Sequence, residues 1–163
     1  WDTYPTNEEI EVHLLACDDL TLKSDRYRGF EPVKKISEHT AFESILANAG
    51  NITGKYFFGN DLRELRSIYK SPECKFWKQH LDEDYDMPDR KKYWRLPLKS
   101  SLVVPIFPET SGEENQLIGF ICIDAPEPNR FNLETDLSIA LGLADGLYNS
   151  LEYFKNLPEG QLK

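Results

Sequence analysis

The sequence predicts one domain of mixed α/β (α+β) class, and three observations carry that reading. Residues 9 to 17 alternate between apolar and polar, residues 101 to 107 and 116 to 124 are β-branched runs, and residues 133 to about 156 show helical periodicity. A chain of 163 residues suits a single core, which at that length buries about 70% of the unfolded surface. The hydrophobic fraction of 40%, with eight Tyr, nine Phe and three Trp, supplies that core and argues against disorder. No repeat, low-complexity tract or composition break divides the chain, so residues 1 to 163 are expected to form one unit.

In the first segment Ile10, Val12, Leu14 and Ala16 share one side and Glu11 and His13 the other, the pattern of a half-buried strand. After the Asp18-Asp19 turn, residues 20 to 27 are a candidate hairpin partner that Gly29 would end. Thr40 and Glu43 then make a T-x-x-E capping box. Phe42, Ile45, Leu46 and Ala49 follow at helical spacing, with Gly50 as C-cap. Residues 55 to 58 are aromatic and strand-like and run into the Gly59-Asn60-Asp61 turn. Short helical turns are expected at 65 to 69 and 76 to 80, in a stretch punctuated by Pro72, Pro88 and Pro97. The two β-branched runs read as a hairpin with a long polar connection at 108 to 115. Asn132 is the expected N-cap of the closing helix. There Leu137, Ala140, Ala144, Leu147, Leu151 and Phe154 form a 3-4 stripe suited either to covering the sheet or to seaming against a second copy.

A formal net charge of −9 repels phosphate backbones and anionic lipid, which removes nucleic acid from the expected partners. The short basic cluster of Arg90, Lys91, Lys92 and Arg95 reads as a solvated loop. Three widely spaced cysteines, Cys17, Cys74 and Cys122, fit reduced thiols and a cytoplasmic setting better than a disulfide framework. No apolar run approaches the roughly 20 residues of a membrane span. Because the chain begins at Trp1, the expectation is a piece of a longer protein, with an effector domain or membrane anchor outside it.

The block from Lys99 to Leu151 resembles the second half of a GAF domain. It carries a K-S start, an SLVVPI strand, a LIGFICID strand, an N-R-F turn, and a helix bearing Leu-Ala-Asp. About a third of the chain is covered with good specificity, and the upstream order of strand and helix is compatible but looser. The resemblance implies a GAF-like central antiparallel sheet of five or six strands flanked by helices on both faces, with any ligand between the sheet and one helical layer. It implies a sensory role in signal transduction and no particular molecule. Pro105 then requires an edge or a bulge, and Phe131 plugs the end of the core where the last strand hands over to the helix.

Weighed residue by residue, most chemical motifs read as structure. Asn129-Arg130-Phe131 with Thr135-Asp136 partly resembles the N-K-x-F-x-x-x-D-E pattern of cyclic-nucleotide-binding GAF domains. Thr135 stands where an acid belongs, and the turn also serves the fold. Covalent bilin attachment lacks its cysteine, since Cys74 is followed by Lys75 and Cys122 lies within a strand as a buried small hydrophobe. A thiol-dependent methionine sulfoxide reductase would need cysteines where residues 93 to 98 have none. Asp82, Asp84 and Asp86 start like a calcium loop, but Met87 replaces its glycine and Tyr93 its bidentate Glu. His13, His39 and His80 are too scattered for a metal site.

No catalytic residue, metal or cofactor is therefore named. The candidate ligand wall is Tyr56, Phe58, Asn60 and Asp61 with Tyr93, Trp94 and Arg95, where Arg95 could grip an anion at two points. Equally, these aromatics could fill the space themselves. Two expectations follow: a non-catalytic sensory or regulatory domain that binds a small molecule and relays a signal through its terminal helices, or a ligand-free scaffold that forms a homodimer through the closing helix. A thiol-dependent enzyme ranks last.

Overall fold

The computed structural model describes residues 10–13, 33–46, 56–65, 98–107 and 117–155. Their elements are β1 (Glu11–His13), β2 (Val33–Lys35), α1 (Thr40–Leu46), β3 (Phe57–Gly59), β4 (Ser100–Ile106), β5 (Gly119–Ala125) and α2 (Thr135–Lys155). A single 3-10 turn precedes α1 at Ile36–Glu38 and another follows β3 at Leu62–Leu65. The content is mixed α/β. The strands fall into two ladders: β1 pairs with β2, and β3, β4 and β5 form an antiparallel sheet in that spatial order. The GAF resemblance implied one sheet of five or six strands; among the described residues the antiparallel sheet has three, with β1 and β2 in a separate ladder.

The second run of β-branched residues pairs with the first as anticipated, from Ser100 opposite Ala125 to Ile106 opposite Gly119. On its other side β4 meets β3, with Phe57 opposite Val103 and Gly59 opposite Ser101. β4 is thus central and buried along its whole length, Ser100 and Ser101 included. Pro105, which has no N–H to donate, lies beyond the three-residue β3 pairing, where only the β5 ladder is described beside it. The first strand found a different partner from the one anticipated. β1 is antiparallel to residues 33 to 35, whereas residues 20 to 27 lie outside the described set.

Because successive strand residues point to opposite faces, β4 feeds two cores. One gathers Val103 and Phe57 with Phe42 and Ile45 of α1, together with Ile36, Leu62 and Leu98. Ile10 and Val12 pack against its edge, and Phe42 stacks on Phe120 of β5 with ring centroids 4.4 Å apart. The other gathers Leu102, Val104 and Ile106 with Ala140 and Ala144 of α2, flanked by Ile121, Ile123 and Phe131.

The helix ends correct one expectation and match another. α1 begins at Thr40, and the Glu43 N–H donates to the His39 carbonyl at 3.0 Å, so the N-cap position is His39 and not Thr40. The chain reaches α1 directly from the 3-10 turn, and His39, the C-cap of that turn, sets the helix start. At α2 the Asn132 Oδ1 accepts the N–H groups of Glu134 and Thr135, both at 3.0 Å, as an N-cap should. The Asn132 N–H in turn donates to Asp136 Oδ2 at 2.7 Å, completing a reciprocal cap.

The anticipated stripe on α2 is only partly the buried one. Leu137, Ala140, Ala144 and Leu151 face the sheet, but Leu147 is 43% exposed and Tyr148 packs in the core where Leu147 was expected. A straight helix turns 3.6 residues at a time, so a strict 3-4 repeat drifts off the contact line. Phe154 is in the helix, and its side chain lies outside the described set.

Candidate functional site

The turn that ends β3 and the turn that leads into α2 meet at one place. Gly59 is followed by Asn60 and Asp61, and the Leu62 N–H donates to the Lys99 carbonyl at 2.8 Å, which ties this turn to the start of β4. From the other side Ser100 Oγ donates to the Glu127 carbonyl at 2.9 Å and holds the turn after β5. Between the two turns lies an open cleft of about 240 Å³ lined by Phe58, Gly59, Asn60, Asp61, Glu64, Leu65 and Asn129. That volume is below the usual range of about 300 to 1,000 Å³ for small-molecule pockets.

Three of the candidate ligand residues, Phe58, Asn60 and Asp61, are brought together here. Tyr56 is exposed and is not part of the lining, while Tyr93, Trp94 and Arg95 lie outside the described residues. Glu64, Leu65 and Asn129 join the lining without having been singled out for it. Asn129 had been recognised as part of a turn, but no spacing rule in the sequence brings residue 129 beside residue 60.

The polar groups of the cleft are largely committed to the fold. Asn60 Nδ2 donates to the Phe131 carbonyl at 2.9 Å, Asn60 Oδ1 accepts the Phe131 N–H at 3.0 Å, and the Asn60 carbonyl accepts the Asn129 N–H at 2.6 Å. Asp61 grips Arg63 at two points, Nε to Oδ1 at 2.7 Å and Nη2 to Oδ2 at 2.6 Å, and its Oδ1 also accepts the Arg63 N–H at 3.1 Å. Hydrogen bonding to Asp61 holds the Arg63 guanidinium above its ordinary pKa. Phe58 packs against the α2-side core.

The other sequence candidates resolve more simply. Asp136 caps Asn132, so the partial N-R-F and T-D motif serves the start of the helix. Cys122 is exposed, which corrects the expectation of a buried small hydrophobe. It stands opposite Val103 on the α1 side of β5, and the α1 side chains cover Phe120 and not the position two residues further on. His13 reaches only to 4.0 Å of Glu11 with both side chains more than half exposed, and His39 stacks on Phe42. Asp82, Asp84, Asp86, Cys17, Cys74, His80 and the basic cluster lie outside the described residues. Among the described residues no group of three or more His, Cys, Asp or Glu is placed to hold a metal ion. Nor is any helix among them long and apolar enough to cross a membrane.

A second surface faces away from the sheet along α2. Ile139 is 57% exposed, Leu143 53% and Leu147 43%, and these three follow one another at four-residue steps. Gly142 and Gly146 lie between them on the same side, and a Cβ built at either would meet nothing within 4 Å. Ser150 and Tyr153 continue this side, whose one charged residue is Asp136 at the helix start, whereas Asp145 and Glu152 project elsewhere on the helix.

Compared with known protein families, with curated proteins and with solved structures, the chain gives no match.

Proposed function

We propose that this chain is a non-catalytic regulatory module that pairs with a second copy of itself through the outer side of α2 and signals through that helix. One observation carries the reading: α2 buries one apolar stripe against the sheet and leaves a second, of Ile139, Leu143 and Leu147, in solvent. A helix that only covers its own core is polar on the far side. With a net charge of −9, two copies approaching along any acidic surface would repel each other, and from Ile139 to Tyr153 this side carries no charge to oppose contact. Gly142 and Gly146 would let two backbones come close, and a two-fold pair of identical helices closes on itself without leaving an apolar edge. The GAF resemblance of residues 99 to 151 supports the same role, and a GAF-like sheet of five or six strands would require the β1–β2 pair to join β3, β4 and β5.

Sedimentation of the purified chain and of Leu143→Asp tests this. A concentration-dependent dimer that becomes monomeric in the variant, with its circular dichroism retained, is the expected result. A wild-type monomer at high micromolar concentration, or a variant that still pairs, overturns it.

A small-molecule input is the second reading, favoured by the cleft between the two turns, where Asn60, Asp61, Glu64 and Asn129 sit beside Phe58 and Leu65. Among the described residues its volume of about 240 Å³ is matched to a small metabolite. A thermal-shift screen of such compounds reads it directly, since a ligand at about 100 times its dissociation constant adds roughly 2.7 kcal/mol. A flat screen retires this input and leaves the pairing reading in place.

A further inference from the structure

We infer that Asn60 is a latch that couples the cleft-lining turn after β3 to the entry of α2, and that its opening regulates the outer side of that helix. The inference depends on the pairing reading only for what the latch controls; the latch itself is read from hydrogen bonds.

Residue 60 spends three of its groups on a segment some 70 positions away. Its side-chain amide does for Phe131 what a neighbouring strand would do, donating to the carbonyl at 2.9 Å and accepting the N–H at 3.0 Å. Its own carbonyl takes the Asn129 N–H at 2.6 Å. Asn129 is held at φ 57°, a left-handed conformation that asparagine tolerates but does not prefer. Phe131 is packed in the α2-side core, and the next residue, Asn132, caps the helix. The order along the chain is therefore latch, core plug, cap, helix. When the Asn60 bonds open, Asn129 is released from its left-handed conformation and the cap loses its anchor on the sheet. The first turn of α2 is then held by its own bonds and by the packing of Phe131 and Leu137, without the tether to the turn after β3.

Both halves of the latch line the same cleft, so whatever occupies the cleft touches the turn on one side and Asn129 on the other. That is the arrangement a two-state element needs if one site is to bias another.

Amide hydrogen exchange on the full 163-residue chain tests the latch. In the wild type, the amides of Asn129, Phe131, Asn132, Glu134, Thr135 and Asp136 should open as one unit with a shared denaturant dependence, below the opening of β4. Separate behaviour of these amides overturns the inference. In Asn60→Ala and in the near-isosteric Asn60→Asp, exchange across 129 to 136 should rise about tenfold or more, while the β4 amides hold. An unchanged rate, or an equal rise in β4, overturns it.

The regulatory claim has its own readout: Asn60→Ala should raise the dissociation constant of the paired form about tenfold, and an unchanged constant removes the claim. A monomeric wild type with a cooperative 129 to 136 unit would defeat the pairing reading and leave the latch standing.

Discussion

Leu62 sits directly on Gly59: a Cβ added to the glycine would lie 2.5 Å from Leu62 Cδ2 and 3.0 Å from Phe57 Cε1. Leu62 is completely buried and Phe57 nearly so, which leaves neither side chain room to yield. Gly59→Ala is therefore expected to cost about 1 to 3 kcal/mol through overpacking. A urea titration with an unchanged slope and a lowered midpoint is the measurement that checks it.

The sheet side of α2 is as intolerant of added bulk as its outer side is tolerant. Ala140 and Ala144 are buried against Leu102 and Val104, so Ala144→Leu should cost about 1 to 3 kcal/mol. Gly142→Ala, on the opposite side of the helix in open space, should instead stabilise the helix by about 0.5 to 1 kcal/mol. Thermal melts at low concentration, where the chain is monomeric, separate the two; equal effects would contradict the placement of the helix.

Removing the cap of α2 should be felt at one end only. Asn132→Ala leaves the N–H groups of Glu134 and Thr135 without their acceptor, at a cost of about 0.5 to 2 kcal/mol. Asn132→Asp retains that acceptor and should recover most of the loss, which a paired denaturation series would show.

Asp61 holds the turn as well as the charge of Arg63. Asp61→Ala removes the two-point contact and the bond from the Arg63 N–H, and about 1 to 2 kcal/mol is expected to go with them, mostly through the lost turn cap. The sign of the pH dependence follows from Arg63, whose pKa is raised by its hydrogen bond to Asp61. Such a group contributes stability that is fully present below its unfolded pKa and is lost only as pH rises through the folded one. For an arginine that window lies at the alkaline extreme. Melting temperature differences between the wild type and Arg63→Met should therefore be flat across the neutral range; a difference that grows between neutral and mildly alkaline pH would point to another group.

Exposed Cys122 should react with a maleimide in the folded protein. Mass spectrometry after brief labelling under native conditions should find this site modified; labelling there only after denaturation would show that it is covered.

Local signals in the sequence reached as far as local physics reaches. The β-branched runs of β4 and β5, the Asn132 cap and the long last helix depend on neighbours in the chain, and each stands within a few residues of its expected place. Long-range partnerships did not announce themselves. Nothing in residues 9 to 27 says that β1 will choose Val33–Lys35, because three-residue strands carry little patterning of their own. The cleft shows the same limit. Asn60 and Asp61 were recognisable as turn residues with polar groups to offer, but that those groups would be taken up by Phe131 and Arg63 depends on the fold bringing two turns together. Exposure of Cys122 was misjudged for a related reason: strand parity gives its face, and only the footprint of α1 decides whether that face is covered.

Leu102 and Val103 are adjacent in the chain yet belong to different cores, one packed under α2 and the other under α1. The backbone of β4 is a partition, and side chains on its two sides share almost no neighbours. A cavity opened beneath Val103 is not lined by the side chains beneath Leu102, so substitutions on the two sides meet different neighbours and couple only through the β4 backbone. The layer that meets α2 can then be altered, by selection or by an engineer seeking a new partner for the helix, while the layer over α1 keeps its packing unchanged. A seven-residue strand thus gives a small protein two interiors that can evolve separately.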